Sequence, residues 1–282
     1  MQKIRVLFVI KCFEKKKMRV IIFTDLDGSL LDNETFKFDE IKNFIINCLK
    51  KGIKLIPNTS KTSFEILEFI KELSFEIPYI AENGSSIHNL NILNPHLSNE
   101  IVLARPVREI YEDFTKNIKK KLLLNCNFLS QMDMEKQSSI LGLSGRKLEL
   151  ALNRNYTFLI TFNGEKNEIK ELIEYCHDLG LSFNQGGRVI CIGDKVDKLT
   201  GMKKVLKIIK SYNEFKDIFT IGVGDSPNDL GMLDEVNFPC LIKRKNNENI
   251  LNKDKYTIST KEAPSGWMEV VKIGLEKNKL II

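Results

Sequence analysis

Two pairs of aspartates, each placed after a run of apolar residues, are the clearest chemistry-bearing feature of the sequence. The first pair is Asp25 and Asp27, and the second pair, about 200 residues later, is Asp225 and Asp229. Two carboxylates at the end of a buried strand repel each other unless a cation neutralises them. If the pairs converge, they form a ligand set for a hard, oxygen-binding ion such as Mg²⁺, and such a site attracts the oxygens of a phosphate group.

The segment Asp25-Leu26-Asp27-Gly28 alone also fits a simple turn or a calcium loop. The calcium loop of an EF-hand requires glycine at its sixth position and glutamate at its twelfth, and these positions hold Leu30 and Phe36 here. The spacing therefore excludes the calcium loop, whereas the turn stays open on these residues alone.

The segments that must position the aspartates alternate between apolar runs typical of buried strands and longer stretches with helical spacing. Strands are predicted at 19–24, 53–56, 79–81, 218–223 and 239–242, and helices at 39–51, 63–73, 199–209 and 229–233. This alternation predicts an α/β fold with a parallel sheet and right-handed crossovers. Because ligands bind where the carboxyl ends of parallel strands meet, we expect Asp25, Thr59 and Asn83 to converge.

Residues from about 89 to 194 show a different pattern. They contain a polar loop at 89–99, a lysine-rich helix at 109–124, strand candidates at 158–162 and 188–192, and a helix at 166–179. We interpret this region as an α+β domain inserted between two halves, 1–88 and 195–282, of one parallel-sheet core.

The composition, with 43% hydrophobic and 28% charged residues, is typical of an ordinary soluble globular protein. The formal charge of +6 comes mostly from scattered lysines without interleaved aromatics, so we expect no nucleic-acid partner. The six cysteines form no C-x-x-C pair, which favours free thiols in a reducing cytosol over disulfides or zinc ligands.

The start of the chain carries a short apolar run at 4–10 that is too short to span a bilayer, and no export signal is visible. We therefore expect a cytoplasmic protein with no membrane partner, as a monomer or a homodimer. Residues 1–17 are interpreted as an upstream extension, because Met18 begins a segment that already contains a complete first strand.

In their order and spacing these residues resemble the haloacid dehalogenase superfamily, and the resemblance covers nearly all of residues 18–280. Four signatures of that superfamily occur in turn: Asp25-Leu26-Asp27-Gly28-Ser29, Thr59, Lys198, and Gly224-Asp225 with Asp229. The resemblance implies a Rossmann-like core and a phosphatase mechanism. In that mechanism Asp25 is the nucleophile that forms an aspartyl-phosphate, and Asp27 is the general acid and base.

The resemblance also implies how a cation is bound. Asp25, the backbone carbonyl of Asp27, and Asp225 would hold Mg²⁺, with Asp229 as a further ligand or as a support behind the ligands.

Thr59 and Lys198 complete the implied catalytic set, Thr59 by a hydrogen bond to a phosphoryl oxygen and Lys198 by its positive charge. Each has an alternative. Ser60 offers a second hydroxyl beside Thr59, and Lys198 could be a solvated lysine at the start of a helix. The helix dipole is positive at that end and disfavours a cation, which favours a functional role for Lys198.

The insertion follows the third predicted strand, as in the superfamily branch with a C2-type cap domain. Four stretches resemble phosphatases of mannosyl-3-phosphoglycerate within that branch: 58–62, 82–84, 186–188 and 222–230. In 186–188 two glycines allow close approach to a ligand and an arginine can grip an anion, although an ordinary hairpin turn is the alternative. The resemblance implies these substrate-binding residues: Ser60, Lys61, Asn83, Gly84, Arg154, Gly186, Gly187, Arg188 and Asn228.

The inserted domain departs from that branch at 154–159. The Arg-Glu-Tyr-x-Glu-Pro stretch of the branch corresponds to a segment that keeps Arg154 and Tyr156 but lacks both acids. Because caps select substrates, the phosphorylated sugar stays open between mannosyl- and glucosyl-3-phosphoglycerate, sucrose phosphate and a hexose phosphate.

Two rival functions remain on the sequence alone. A phosphomutase would share Asp25 and Asp27 but return the phosphoryl group to a sugar. A binding or regulatory module would keep the fold and lose the chemistry, which the presence of all the implied catalytic residues argues against.

Overall fold

The computed structural model of the protein describes residues 19–212, 215, 217–244 and 253–277. The strands are β1 Arg19–Thr24, β2 Lys54–Pro57, β3 Tyr79–Ala81, β4 Ser86–His88, β5 Glu100–Val102, β6 Cys126–Phe128, β7 Thr157–Phe162, β8 Leu181–Gln185, β9 Ile190–Asp194, β10 Ile218–Gly224, β11 Phe238–Leu241 and β12 Thr257–Ile258. The helices are α1 Asp39–Lys50, α2 Ser63–Leu73, α3 Val107–Lys116, α4 Lys120–Asn125, α5 Met134–Leu141, α6 Gly145–Leu152, α7 Lys166–Asp178, α8 Lys198–Ile209, α9 Leu230–Leu233 and α10 Ser265–Lys277. The hypothesis about residues 1–17 lies outside these described residues.

A parallel sheet forms the centre of the molecule, with the strand order β12-β11-β10-β1-β2. Alternate residues of β1 face opposite layers. Val20 and Ile22 pack with α1, α2 and α10, whereas Ile21 and Phe23 pack with α8 and α9. A strand buried on both faces needs the unbroken apolar run that β1 has. The predicted parallel α/β sheet is therefore confirmed.

Strand β3 differs from the expectation that it would be the third strand of this sheet. It pairs antiparallel with β4 in a separate sheet, β3-β4-β5, and meets the end of β2 through one parallel bridge between Asn58 and Ile80. Glu82, Asn83 and Gly84 all have positive φ, at 46°, 57° and 97°. The chain therefore turns back sharply after β3, and β4 occupies its free edge.

The inserted region forms a four-stranded antiparallel sheet in the order β6-β7-β9-β8, packed against helices with its own core. Within that core Phe114, Phe128 and Phe158 are in mutual edge-to-face or tilted contact. This is the α+β character predicted for the insertion. The lysine-rich helix predicted at 109–124 is two helices, α3 and α4, separated at 117–119.

Three leucines anchor the predicted polar loop 89–99 to the parallel-sheet core. Leu90, Leu93 and Leu97 are buried and share a hydrophobic cluster with Met202 and Val205 of α8. This stretch therefore packs on the parallel-sheet half of the molecule.

Two other expectations concern the cysteines and membrane-spanning segments. Five cysteines are free and buried, as predicted, and Cys12 lies outside the described residues. No helix in the described ranges is both long enough and apolar enough to cross a membrane.

Trp267 of α10 ties that helix to the end of the first strand. Its side chain is fully buried, and its indole N–H donates to Thr24 Oγ1 at 3.0 Å. The Thr24 hydroxyl in turn donates to the backbone carbonyl of Asp25 at 2.7 Å. The position of the predicted nucleophile thus depends on packing against α10.

We expect Trp267→Ala to lower the free energy of unfolding by about 3–5 kcal/mol, because it leaves a large cavity and removes the hydrogen bond that the Thr24 hydroxyl accepts. Urea denaturation followed by circular dichroism measures this loss. Glu276→Ala, at an exposed position of the same helix, should change the free energy by less than about 0.5 kcal/mol. Equal effects of the two substitutions would contradict the anchoring role.

Candidate active site

The predicted catalytic and metal-binding aspartates meet at the carboxyl edge of the central sheet. Asp25 directly follows β1 and Asp225 directly follows β10, and these two strands are neighbours. Oxygen atoms of Asp25, Asp225 and Asp229 all lie within 4.8 Å of one another, and all three residues are buried. Three of the four aspartates of the two pairs therefore converge, as expected.

Lys198, the first residue of α8, lies between two of these carboxylates. Its Nζ is 2.7 Å from Asp25 Oδ1 and 2.6 Å from Asp229 Oδ1, and its side chain is 2% exposed. Burial alone lowers the pKa of Lys198, but the charges of Asp229 and Asp25 outweigh it, so the pKa is raised and the side chain stays a cation. The alternative of a solvated lysine is therefore wrong.

The remaining carboxylate charge is poorly compensated. Burial raises the pKa of Asp25, and the charge of Asp229 adds to that rise while Lys198 opposes it. Burial likewise raises the pKa of Asp225 well above its usual range, reinforced by Asp229 and Asp25. A metal-free site of this kind holds more negative charge than its neighbours neutralise, which is the electrostatic condition for binding a cation.

Asp225 has a hydrogen bond on one oxygen and none on the other. Its Oδ1 accepts a hydrogen bond from Ser29 Oγ at 2.9 Å, while Oδ2 has no hydrogen-bond partner in the described part of the chain. Arg244 Nε lies 2.7 Å from Oδ2, which is ion-pair contact without hydrogen-bond alignment. Gly28 has φ +77°, and a Cβ there would stand 2.9 Å from Oδ2, so glycine keeps this space clear.

Asp229 is the most constrained of the three carboxylates. Its Oδ2 accepts hydrogen bonds from the backbone N–H groups of Asp225 and Ser226 at 3.0 Å each, and from Ser226 Oγ at 2.8 Å. Its Oδ1 accepts a hydrogen bond from Lys198 Nζ at 2.6 Å. Asp229 therefore fixes the loop that carries Asp225, which fits a support behind the ligands as well as a ligand.

These residues fit a divalent cation with oxygen ligands. The donor set consists of carboxylate oxygens, one of which is buried without a hydrogen bond, and sulfur and nitrogen ligands of a zinc or copper site are absent from the described cluster.

Asp27 lies at the rim of this cluster beside Lys61. Lys61 Nζ is 2.9 Å from Asp27 Oδ2 and 3.1 Å from Glu65 Oε1, and it also faces the ring of Phe36 at 4.9 Å. Burial lowers the pKa of Lys61, but Asp27 and Glu65 together raise it. The Asp27 side chain is 35% exposed, so it can meet both a substrate and water.

The loop after β2 places the two rival hydroxyls differently. Thr59 is buried at the end of β2, and its backbone carbonyl accepts from Asn83 N at 2.9 Å. Ser60 is half-buried. Asn83 is also buried, and its Nδ2 lies 3.8 Å from Cys191 Sγ of the inserted sheet. Thr59 and Asn83 thus come together, as predicted, and Ser60 and Lys61 follow Thr59 in the same loop.

The other predicted substrate-binding residues are more dispersed. Gly84 packs against the backbone of Asp197, where a Cβ would stand 2.0 Å from the carbonyl oxygen, which gives this glycine a packing role. Arg188 is exposed and donates to the carbonyl of Leu141 at the end of α5. The same exposure is found at Gly186, Gly187 and Asn228.

Arg154 is buried at the contact between the inserted region and the core. Its Nη2 donates to Ser60 O at 2.6 Å, its Nε donates to Thr157 Oγ1 at 2.7 Å, and its side chain is 9% exposed. The guanidinium is therefore occupied by protein groups.

Sequence reasoning missed three residues that shape this site. Asn58 Nδ2 donates to the carbonyl of Lys198 at 2.8 Å and so fixes the start of α8. Glu82 accepts hydrogen bonds from the inserted region, and Arg244 contacts Asp225. Asn58 and Glu82 stood inside stretches that carried the family resemblance, whereas nothing in the sequence marked Arg244.

A nucleophile-like aspartate at the end of a central parallel strand, paired with a buried lysine and facing an acidic cluster, defines a hydrolase of the haloacid dehalogenase type. The chain belongs to the haloacid dehalogenase-like hydrolases, whose family model matches residues 22–270. The resemblance inferred from the four signatures is confirmed.

Two relatives narrow the comparison. A protein of Methanococcoides burtonii named glucosyl-3-phosphoglycerate/mannosyl-3-phosphoglycerate phosphatase is 31% identical over 94% of this chain and 100% of its own length. A protein of the same name from Persephonella marina is 35% identical over 80% of this chain and 86% of its own. The solved structure of a sugar phosphatase of subclass IIB has a TM-score of 0.64 and 14% identity, covering 93% of this chain and 99% of that one, and shows a shared fold.

Proposed function

We propose that the protein is a Mg²⁺-dependent phosphatase that hydrolyses mannosyl-3-phosphoglycerate or glucosyl-3-phosphoglycerate to the glycosylglycerate and inorganic phosphate. The observation that carries the proposal is the buried Asp25, which stands 2.7 Å from Lys198 and beside an acidic cluster. The names of the two relatives support the substrate class.

In the proposed reaction an Asp25 carboxylate oxygen attacks the phosphorus atom. The bond from phosphorus to the glycerate oxygen breaks, and Asp27 gives that oxygen a proton. Lys198 offsets negative charge on the phosphoryl group and the nucleophile, and Thr59 donates a hydrogen bond to a phosphoryl oxygen.

The second half of the reaction returns the enzyme to its starting state. Water attacks the aspartyl-phosphate at phosphorus, and Asp27 takes a proton from that water. Phosphate leaves and the Asp25 carboxylate is restored. The one-third exposure of Asp27 suits a group that must meet the leaving oxygen first and water afterwards.

Mg²⁺ would be held by Asp25, Asp225 and the backbone carbonyl of Asp27, with Asp229 as a ligand or support. When bound, it supplies positive charge that draws the phosphoryl oxygens in and stabilises charge in the transition state. The buried oxygen of Asp225 that lacks a hydrogen bond is the feature that favours this assignment.

Saturating Mg²⁺ should raise the melting temperature of the metal-free protein by about 5 °C, because binding to the folded state offsets carboxylate repulsion. Differential scanning calorimetry with and without chelator measures the shift. Asp225→Asn should lose most of it, whereas Asp234→Asn, on the surface after α9, should keep it. An unchanged melting temperature in the wild type would refute the site.

Residues 89–194 are proposed as the inserted cap domain that selects the substrate, with its first stretch, 89–99, packed on the parallel-sheet core. Gly186, Gly187, Arg188 and Asn228 are proposed to reach the glycosylglycerate part when the substrate is bound. We further propose that the enzyme works in the cytoplasm as a monomer or homodimer.

The deciding experiment is a phosphate-release assay over mannosyl-3-phosphoglycerate, glucosyl-3-phosphoglycerate, sucrose 6-phosphate and simple hexose phosphates. We expect release from the first two, dependent on Mg²⁺ and without a bisphosphate activator. Turnover of only the other esters would replace the proposed substrate. Isomerisation without free phosphate would instead identify a phosphomutase.

A further inference from the structure

The loop 59–61 is held by three successive carbonyl contacts, and one of them comes from outside the core. Thr59 O accepts from Asn83 N and Lys61 O accepts from Glu82 N, both at 2.9 Å. Ser60 O, between them, accepts from Arg154 Nη2 at 2.6 Å. The inserted region thus supplies one of the three hydrogen bonds that hold this loop.

The bond from Arg154 acts on the peptide group that joins Ser60 to Lys61. The N–H of that same peptide points to Thr59 Oγ1, in a long contact of 3.4 Å. The Lys61 side chain, one bond further along, contacts Asp27 at 2.9 Å. Fixing the plane of this peptide therefore fixes both the threonine hydroxyl and the partner of the proposed general acid.

Arg154 is itself held in a buried joint with Glu82. Glu82 is 1% exposed, and its carboxylate accepts from Asn155 N at 2.9 Å, Tyr156 N at 3.1 Å and Thr157 Oγ1 at 2.7 Å. Arg154 Nε donates to that same Thr157 hydroxyl. Glu82 also adopts φ +46°, a conformation that costs a non-glycine residue energy and persists only where surrounding contacts impose it.

We infer that Arg154 is a positioning residue that sets the catalytic loop 59–61 only when the inserted domain is docked through Glu82, so that docking and catalytic competence are coupled. The inference rests on the proposed phosphatase function and departs from the direct substrate contact predicted for Arg154. Two backbone N–H groups and one hydroxyl hold Glu82, so the joint does not use the side chain of Asn155, where the chain departs from its family branch.

The test compares Arg154→Met and Arg154→Lys with Arg146→Met on two substrates. One is the sugar ester that the wild type hydrolyses, mannosyl- or glucosyl-3-phosphoglycerate, called here the natural ester. The other is p-nitrophenyl phosphate, which lacks the sugar and glycerate. Arg146 also joins the inserted region to the core, through Glu68 at 2.9 Å, but on the surface. We expect kcat of Arg154→Met to fall about 10- to 100-fold on both substrates, because a misplaced catalytic group slows the chemical step whatever the leaving group. KM should stay within about 2-fold.

Arg154→Lys should recover part of kcat, since lysine keeps the charge and one donor for Ser60 O, and Arg146→Met should match the wild type. A rise in KM on the natural ester alone, with normal turnover of p-nitrophenyl phosphate, would overturn the inference and identify Arg154 as a substrate contact. Unchanged kcat in both Arg154 variants would also overturn it.

Hydrogen exchange supplies a readout that is independent of turnover. In Arg154→Lys, faster amide exchange confined to residues 59–66 is expected, and exchange equal to the wild type there would reject the inference. A wild-type enzyme that hydrolyses p-nitrophenyl phosphate but none of the sugar esters would refute the proposed substrate while leaving the Arg154 comparison intact.

Discussion

Asp25→Asn is expected to reduce phosphate release by at least about 10⁴-fold while the protein stays folded. The amide has nearly the shape of the carboxylate, but it cannot attack phosphorus to form the acyl phosphate. The fold survives because Lys198 keeps its 2.6 Å contact with Asp229. Removing one charge from a crowded cluster also relieves repulsion that adds to burial in raising the pKa of Asp225.

Rapid-quench phosphate assays and circular dichroism together measure this result. Asp32→Asn is the matched control, because Asp32 lies in the same stretch but serves a local turn, accepting from Thr35 N at 2.7 Å and Glu34 N at 3.1 Å. It should retain turnover. Appreciable hydrolysis by Asp25→Asn would rule out a covalent intermediate on this residue.

Lys198→Met should cost both activity and stability. The substitution leaves Asp25 and Asp229 buried without their shared cation, and breaking a buried ion pair in this way costs about 3–5 kcal/mol of folding free energy. Loss of the positive charge beside the nucleophile should lower kcat by about 10²–10³-fold. Arginine is a poor replacement, because its planar fork does not fit a space shaped for an ammonium group.

The control for this prediction lies on the same helix. Lys203 Nζ is 2.9 Å from Glu235 Oε1, but the pair is about half exposed, so Lys203→Met should change stability by no more than about 1 kcal/mol. Urea unfolding and steady-state kinetics on both variants decide the matter. A Lys198→Met enzyme as stable and active as Lys203→Met would mean that the buried contacts carry no function.

The sequence predicted best the features that repeat along the chain. Apolar runs predicted the central strands, and helical spacing predicted α2 with its observed bounds at 63–73. The structure adds that Thr62 and Glu65 form a capping box at its start. The short polar strand β8 and the eight-residue helices α5 and α6 were not predicted, since such brief elements carry little periodicity. The pairing of β3 with β4 depends on the backbone turn at 82–84, and no pattern of residue types predicts that turn.

The sequence predicted the site residues that directly follow strands. Asp25 and Asp225 could be placed from the sheet alone, whereas Lys198 is 173 residues from its partner Asp25 and was found through family resemblance. Arg154 was predicted as a substrate-binding residue. Its guanidinium instead binds the backbone carbonyl of Ser60, which lies 94 residues away along the chain. Contacts between distant segments have no local signal, so their direction had to come from the structure.

The hydrogen bond from Trp267 to Thr24 has a practical consequence for following the reaction. Trp267 is the only tryptophan in the chain, and one hydroxyl separates its indole from the backbone of Asp25. Indole fluorescence responds to changes in nearby charge and hydrogen bonding. The protein therefore carries an intrinsic optical reporter beside its proposed nucleophile, and we expect stopped-flow emission to time the formation and decay of the proposed phosphorylated enzyme without a label.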